Sequence, residues 1–214
     1  MRSGLVGLFL LIGAPAFAGE TCKEQVDAAF AKLRGEKAFR LETTIKNTDG
    51  MLKMKADYVL PDRMRQTVTL GGDGVPMEMV VIGRKAWSNQ GGGWAELPQN
   101  FADKVAEQIK ETVAEAPKVA TDYKCIGDKD FEGKTYALYQ AALAMPLSAD
   151  AKDKGPRVTA MSVPNLQNVY IDRTTGLPVR NIVTPVTDPN KRLYDGTFSV
   201  DRDLTIDPPS VSAN

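Results

Sequence analysis

The 214-residue sequence contains no histidine, two cysteines, few aromatic residues (7%) and no excess of either charge, with 27 Lys+Arg against 27 Asp+Glu. Without histidine there is no Ser-His-Asp or Cys-His triad, no histidine-ligated zinc and no ordinary general base titrating near neutrality. Catalysis would have to rest on carboxylate, Lys, Tyr or Cys chemistry. The balanced charge and the lack of a basic run remove the electrostatic case for a nucleic-acid partner, because such binders concentrate Lys and Arg to neutralise phosphates. Apolar runs approaching the roughly 20 residues of a membrane-spanning helix are also missing. What remains, 43% hydrophobic and 25% charged residues, is the composition of a globular protein.

An apolar run from Leu5 to Ala14 follows Arg2 and precedes Ala16-Phe17-Ala18. A positive start, a short apolar stretch and a small-x-small triplet read as a secretory signal peptide cleaved after Ala18. Residues 19–214 are then expected to form a single periplasmic domain without a permanent membrane anchor. Gly19-Glu20-Thr21 before Cys22 does not resemble a lipobox. In an oxidising compartment Cys22 and Cys125 are expected to form a disulfide, the alternative being a pair of free buried thiols. Closing a loop of about 100 residues would restrict the unfolded chain by up to about 4–5 kcal/mol.

Thr21 and Glu24 make a T-x-x-E capping box, and Cys22, Val26, Ala29, Phe30 and Leu33 follow at helical spacing up to a stop at Gly35. From Phe39 the period falls to two. Alternating segments separated by Asn47–Gly50, Leu60-Pro61-Asp62, Gly71–Gly74, Gly83-Arg84 and Gly91–Gly93 predict an antiparallel meander through Leu97. Asn100 is expected to cap a second amphipathic helix, running to about Ala116 with Phe101, Val105, Ile109, Thr112 and Val113 on its apolar side. Further strands are predicted at 122–126, 136–140, 158–163, 169–172, 178–184 and 193–200, with Ser148–Pro156 a polar loop. A single α+β domain, mainly β, with a large antiparallel sheet and two amphipathic helices on it is the simplest architecture.

Several motifs fail on inspection. Gly133-Lys134-Thr135 lacks the upstream glycine of a phosphate loop, since position 128 is Asp128, and the Asp128–Gly133 segment has Tyr139 where a calcium loop needs its bidentate Glu. Both read as a hairpin turn. The glycine clusters join strands and match no dinucleotide fingerprint. Trp87 and Trp94, flanking the triple glycine, are either a ligand-gripping pair or packing under a hairpin. Met54, Met64, Met77, Met79 and Met161 recur at alternating strand positions; methionine adapts to irregular apolar partners, and it also fills gaps in cores.

The order of these elements resembles the periplasmic lipoprotein-carrier superfamily, which includes lipid-carrying mycobacterial lipoproteins and a stress-sensor domain. The resemblance rests on Tyr58-Val59-Leu60-Pro61-Asp62-Arg63-Met64-Arg65, on Val80–Trp87 with Trp94–Pro98, and on Val169-Tyr170-Ile171-Asp172-Arg173-Thr174-Thr175-Gly176-Leu177-Pro178. It implies a curved antiparallel sheet forming an incomplete barrel, with two or more helices across its mouth and an apolar cavity for acyl chains. The implied role is non-catalytic and without cofactor or metal: carriage of a lipid or an acylated lipoprotein, or alternatively envelope protein interaction and stress sensing on the same fold. Candidate wall residues, chosen by alternation or helical face, are Leu41, Met54, Met64, Val68, Met79, Val81, Trp87, Phe101, Val105, Ile109 and Ile171. Which alternating set faces inward is left open by the sequence, because a one-residue shift exchanges the two faces. Arg63 and Arg65 lie near the position of the family's functional arginine without a secure match.

Overall fold

The computed structural model describes residues 20–47, 50–71, 74–114, 122–143 and 165–211. The signal peptide, the Ser148–Pro156 loop and the strand expected at 158–163, with Met161, lie outside the described residues. Helix α1 (Cys22–Arg34) begins as the sequence indicates: the Thr21 side chain accepts from the Glu24 backbone N–H, and the Glu24 carboxylate accepts from the Thr21 N–H at 2.7 Å. Its buried residues are Val26, Ala29, Phe30 and Leu33, one stripe at i, i+3, i+4, i+7.

Eleven strands follow: β1 (Ala38–Asn47), β2 (Gly50–Val59), β3 (Arg63–Leu70), β4 (Met77–Ile82), β5 (Lys85–Asn89), β6 (Trp94–Glu96), then, after helix α2 (Gln99–Ala114), β7 (Lys124–Phe131), β8 (Lys134–Leu143), β9 (Asn165–Ile171), β10 (Pro178–Pro185) and β11 (Tyr194–Val200). They form one open antiparallel sheet in the order β6-β5-β4-β3-β2-β1-β11-β10-β9-β8-β7. The chain thus lays one arm outward from β1 to β6, jumps to the opposite edge at β7, and works back until β11 pairs with β1, Phe39 opposite Val200 and Ile45 opposite Tyr194. The connection from β6 to β7 carries α2, only about 24 Å long for its 16 residues. Ten strand spacings would separate the edges by roughly 48 Å if the sheet were flat. The sheet is instead curved and unclosed, an incomplete barrel with both helices on one face: α1 lies over β7, β9 and β10, and α2 over β4 and β5.

Strand β9 begins at Asn165 rather than 169 and β8 is longer than the expected 136–140; two other boundaries differ for identifiable physical reasons. Helix α2 starts at Gln99 rather than after an Asn100 cap, because the Pro98 carbonyl accepts from the N–H groups of Phe101 and Ala102. The β7–β8 turn is confined to Glu132 and Gly133, at φ 50° and 82°. Asp128, Lys129 and Asp130, read as turn residues, are instead paired along β7 with Ala137, Tyr136 and Thr135. A charged strand suits this place, since β7 is an edge and charge discourages pairing with other chains. The disulfide joins Cys22 on α1 to Cys125 on that edge strand, with Cα atoms 5.4 Å apart and 103 residues between them in sequence.

Candidate functional site

Strand register decides which alternating set faces the helices. Phe39 pairs with Tyr58, Tyr58 with Met64, Met64 with Val81 and Val81 with Ala86. All five lie in the main apolar cluster, together with the buried stripe of α1 and with Ala102 and Ile109 of α2. The same cluster runs on through Ala137, Tyr139, Val169 and Ile171 of the other arm, and Phe30 of α1 meets Phe198 edge-on at 5.5 Å between ring centres.

Following this parity through β1–β5 and β8–β11, no inward position carries Asp, Glu, Lys or Arg. The charges of these strands sit on the outer face, and some pair there: Arg40 with Asp57 on neighbouring strands, and Arg180 with Asp195 at 2.6 and 2.9 Å. That face also carries a depression of about 380 Å³ lined by Thr44, Thr67, Thr69 and Thr197 with Lys53, Lys55, Arg180, Glu42 and Asp195, its floor reaching Thr43 and Met54. Its rim is charged, unlike the inner face.

Along the inner face the chemistry changes across the sheet. One transverse row runs Val169, Asn181, Gly196, Thr43, Met54, Val68, Met77, each residue paired with the next. The β1–β4 side of the face is mainly apolar, with methionine, leucine and valine beside Phe39 and Tyr58, and it opens outward: Met64 and Val81 are buried, whereas Met77 is 39% and Leu70 56% exposed. The Gln66 side chain approaches Met54 Sδ at 2.8 Å. On the β8–β11 side polar side chains satisfy one another. Tyr123 donates its hydroxyl to Gln167 Oε1 at 3.0 Å, Gln167 Nε2 donates to Asn181 Oδ1 at 3.1 Å, and Tyr139 donates to Gln25 Oε1 on α1 at 2.5 Å. Burial, with a smaller contribution from Asp27, pushes the Tyr123 phenol up to about 12, so it stays a donor.

Of the expected wall residues, Met64, Val81, Ile109 and Ile171 are buried members of the inner cluster, and Leu41, Met79 and Val105 are packed against it. Met54 and Val68 share that face, half-buried in the transverse row. Two do not belong. Trp87 pairs with Val80 and Glu96 on the outer face, where it forms a separate cluster with Val80 and Ile206, with Trp94 packed alongside. Its size is accommodated by the C-terminal segment, whose Ile206 is 2% exposed and whose Ile206 carbonyl accepts from Arg63 at 2.7 Å. The tryptophan pair is packing, not a grip. Phe101 is 49% exposed because the buried stripe of α2 is Ala102, Val105, Ala106, Ile109, one position round the helix. Arg63 and Arg65 are on the outer face as well, by their pairing with Ile82 and Val80. The inward residues Gln167, Asn181 and Tyr194 escaped notice, since a polar residue in an alternating strand is read as solvent-facing.

No family model matches the sequence, and no curated protein matches it by sequence. Solved structures do match by shape. LprF from Mycobacterium bovis superposes with a TM-score of 0.50 at 12% identity, over 88% of this chain and 95% of that one. The Mycobacterium tuberculosis lipoprotein LppX gives 0.51 at 13% identity, over 85% and 95%. The chain has the fold shared by these two proteins. In this half-barrel the open edges, the helices on one face and the uncharged inner lining of β1–β5 and β8–β11 follow from register and alternation. Among the described residues no helix is long and apolar enough to cross a membrane.

Proposed function

We propose that this half-barrel is an exported, non-catalytic carrier that holds the acyl chains of a lipid or lipoprotein between its sheet and its helices. The observation that carries the reading is the inner face: nine strands without one inward charge, lined on one arm by Met54, Met64, Met77 and Met79 and left partly open at Leu70 and Met77. Holding a chain there removes about 0.8 kcal/mol of exposed hydrocarbon cost per CH₂. Methionines accept chains of different shape at little packing cost. A signal peptide ending at Ala18 and a disulfide between Cys22 and Cys125 fit an envelope location. The test is native mass spectrometry and lipid extraction on the full chain expressed with its leader, followed by displacement of a fluorescent acyl probe. Co-purifying lipid and saturable probe binding are expected. A lipid-free protein that also refuses the probe would sink the proposal, and a stoichiometric protein partner surviving delipidation would favour the sensing alternative.

A further inference from the structure

Where the two linings meet, the polar side chains end in unused hydrogen-bonding capacity. Thr43 is 3% exposed, and its Oγ1 makes no well-formed hydrogen bond, standing only loosely against the Tyr194 hydroxyl. Beside it in the row is Gly196, and the Tyr194 ring folds over that glycine with its hydroxyl 2.7 Å from where a Cβ would stand. Any larger residue at 196 would evict the phenol. Burial raises the Tyr194 phenol, with the Thr43 hydroxyl offsetting part of the rise, so Tyr194 remains protonated and able to donate. On the other side of Gly196 is Asn181. The bonds Tyr123 to Gln167 and Gln167 to Asn181 all run in one direction and end on Asn181 Oδ1. Among the described residues this leaves the Asn181 Nδ2 donors without a protein acceptor.

Three groups with donor capacity therefore sit in succession at the head of the Met54, Val68, Met77 row, Thr43 buried and Asn181 and Tyr194 part-exposed, with no cation on the same face of these strands. A buried polar group without a partner is unfavourable, and a site built to hydrogen-bond discriminates against an analogue that lacks the matching atom. A free fatty-acid carboxylate or a phosphate would be buried here without a counter-charge, which is costly. A neutral carbonyl is the acceptor that fits. We propose that Thr43, Asn181 and Tyr194 form a subsite for the ester carbonyls of an uncharged acyl linkage, whose chains then run over Met54, Val68 and Met77. This deepens the carrier reading and rests on it. The linkage occurs both in diacylglycerols and in the diacylglyceryl group of a lipoprotein.

The experiment compares four probes on the full chain by fluorescence displacement: dioleoylglycerol, its dialkyl ether analogue, a diacylated cysteinyl peptide and oleate. The ester probes are expected to bind about ten-fold more tightly than the ether, the scale of one or two hydrogen bonds. Thr43→Val and Asn181→Leu, checked for folding by circular dichroism and thermal melting, should lower ester affinity to that of the ether and leave ether affinity unchanged. Thr43→Ser, which keeps the hydroxyl, should restore the difference. The tighter of the two ester probes names the source of the linkage. Equal ester and ether binding by the wild type, equal loss of both in the variants, or tighter binding of oleate overturns the subsite while leaving the carrier reading standing. Failure of all four probes removes both.

Discussion

Strands β1–β6 and β7–β11 meet at the β1–β11 pair and curve over the same pair of helices, but the two arms are lined and fastened differently. The first arm presents methionine and branched aliphatics inward and is overlaid by α2; its outer side is clasped by Ile206 against Val80 and Trp87. The second presents Asn165, Gln167, Asn181 and Tyr139 between its apolar residues, is overlaid by α1, and is stapled to that helix through Cys22–Cys125. An adaptable apolar wall thus stands opposite a hydrogen-bonded one that is covalently tied to its lid. The inner wall of the first arm is held mainly by packing, whereas that of the second adds directional bonds between its polar side chains.

The contrast breaks most directly if charge is placed on each wall. Val81 is 1% exposed among apolar neighbours. Val81→Asp is expected to lower unfolding free energy by about 5 kcal/mol or more, because the carboxylate finds no donor. Asn181→Asp keeps the shape and retains the Gln167 Nε2 donor, so a loss of about 1–2 kcal/mol is expected. Chemical denaturation of the two variants at neutral pH measures both; equal losses would abolish the distinction between the walls.

Next in size is the staple. Replacing both cysteines by serine should cost about 3–4 kcal/mol. Hydrogen exchange should report the loss first in α1 and β7–β9, with β2–β5 retaining protection. Uniform loss across the sheet would mean that the arms unfold as one unit. For the first arm the corresponding fastening is Ile206. Ile206→Ala should cost about 2–3 kcal/mol through the cavity it leaves and shift Trp87 emission to the red as the indole meets water. An unchanged emission maximum would show that something other than the C-terminal segment covers Trp87.

The sheet itself was legible, because alternation, turn residues and the capping box at Thr21–Glu24 are local signals, and most strands form within a residue or two of their expected limits. The disulfide was legible from compartment and count together. Inward parity was not inferred from periodicity, which is blind to face, although the sequence held a second signal: Arg40, Glu42, Lys53, Lys55, Arg63 and Arg65 all share one parity, and a curved sheet cannot bury them all. Trp87 misled because a large aromatic suggests a core; its parity with Lys85 puts it outside, and only the distant Ile206 explains why it is buried there. Phe101 misled because a helical stripe can be read one residue off, and the small Ala102 and Ala106 that let α2 approach the sheet carry little weight in a search for bulky residues. The row Asn181, Gly196, Thr43 was invisible for a different reason. It is assembled from three strands whose adjacency depends on β11 returning to β1, a contact between positions more than 150 residues apart in sequence.

The smallest expected effect separates the arms by their ion pairs. On the second arm Asp195 receives Arg180 and Arg192, and the side chains of Asp195 and Arg180 are only 14% and 17% exposed. Burial pushes the Asp195 carboxyl up, but the hydrogen bonds and charges of the two arginines outweigh it and hold it below its ordinary 3.8. On the first arm Arg84 forks onto Asp103 with 3.0 Å bonds, also lowering the carboxyl through those bonds and that from Gln99, but in a pair 80% and 36% exposed. A carboxyl held low in the folded state stabilises it at pH values above the unfolded value near 3.8, and that contribution disappears as pH falls through the folded value. Both Asp195→Asn and Asp103→Asn should therefore narrow the stability difference between pH 6 and pH 3. Salt then tells them apart: about 0.5 M NaCl should erase the effect at Asp103, where solvent screens the pair, and leave most of it at Asp195, where the protein excludes counter-ions. Thermal melts at two pH values and two salt concentrations are sufficient, and an Asp195 effect that vanishes with salt would show that the outer surface of the second arm is as open to solvent as that of the first.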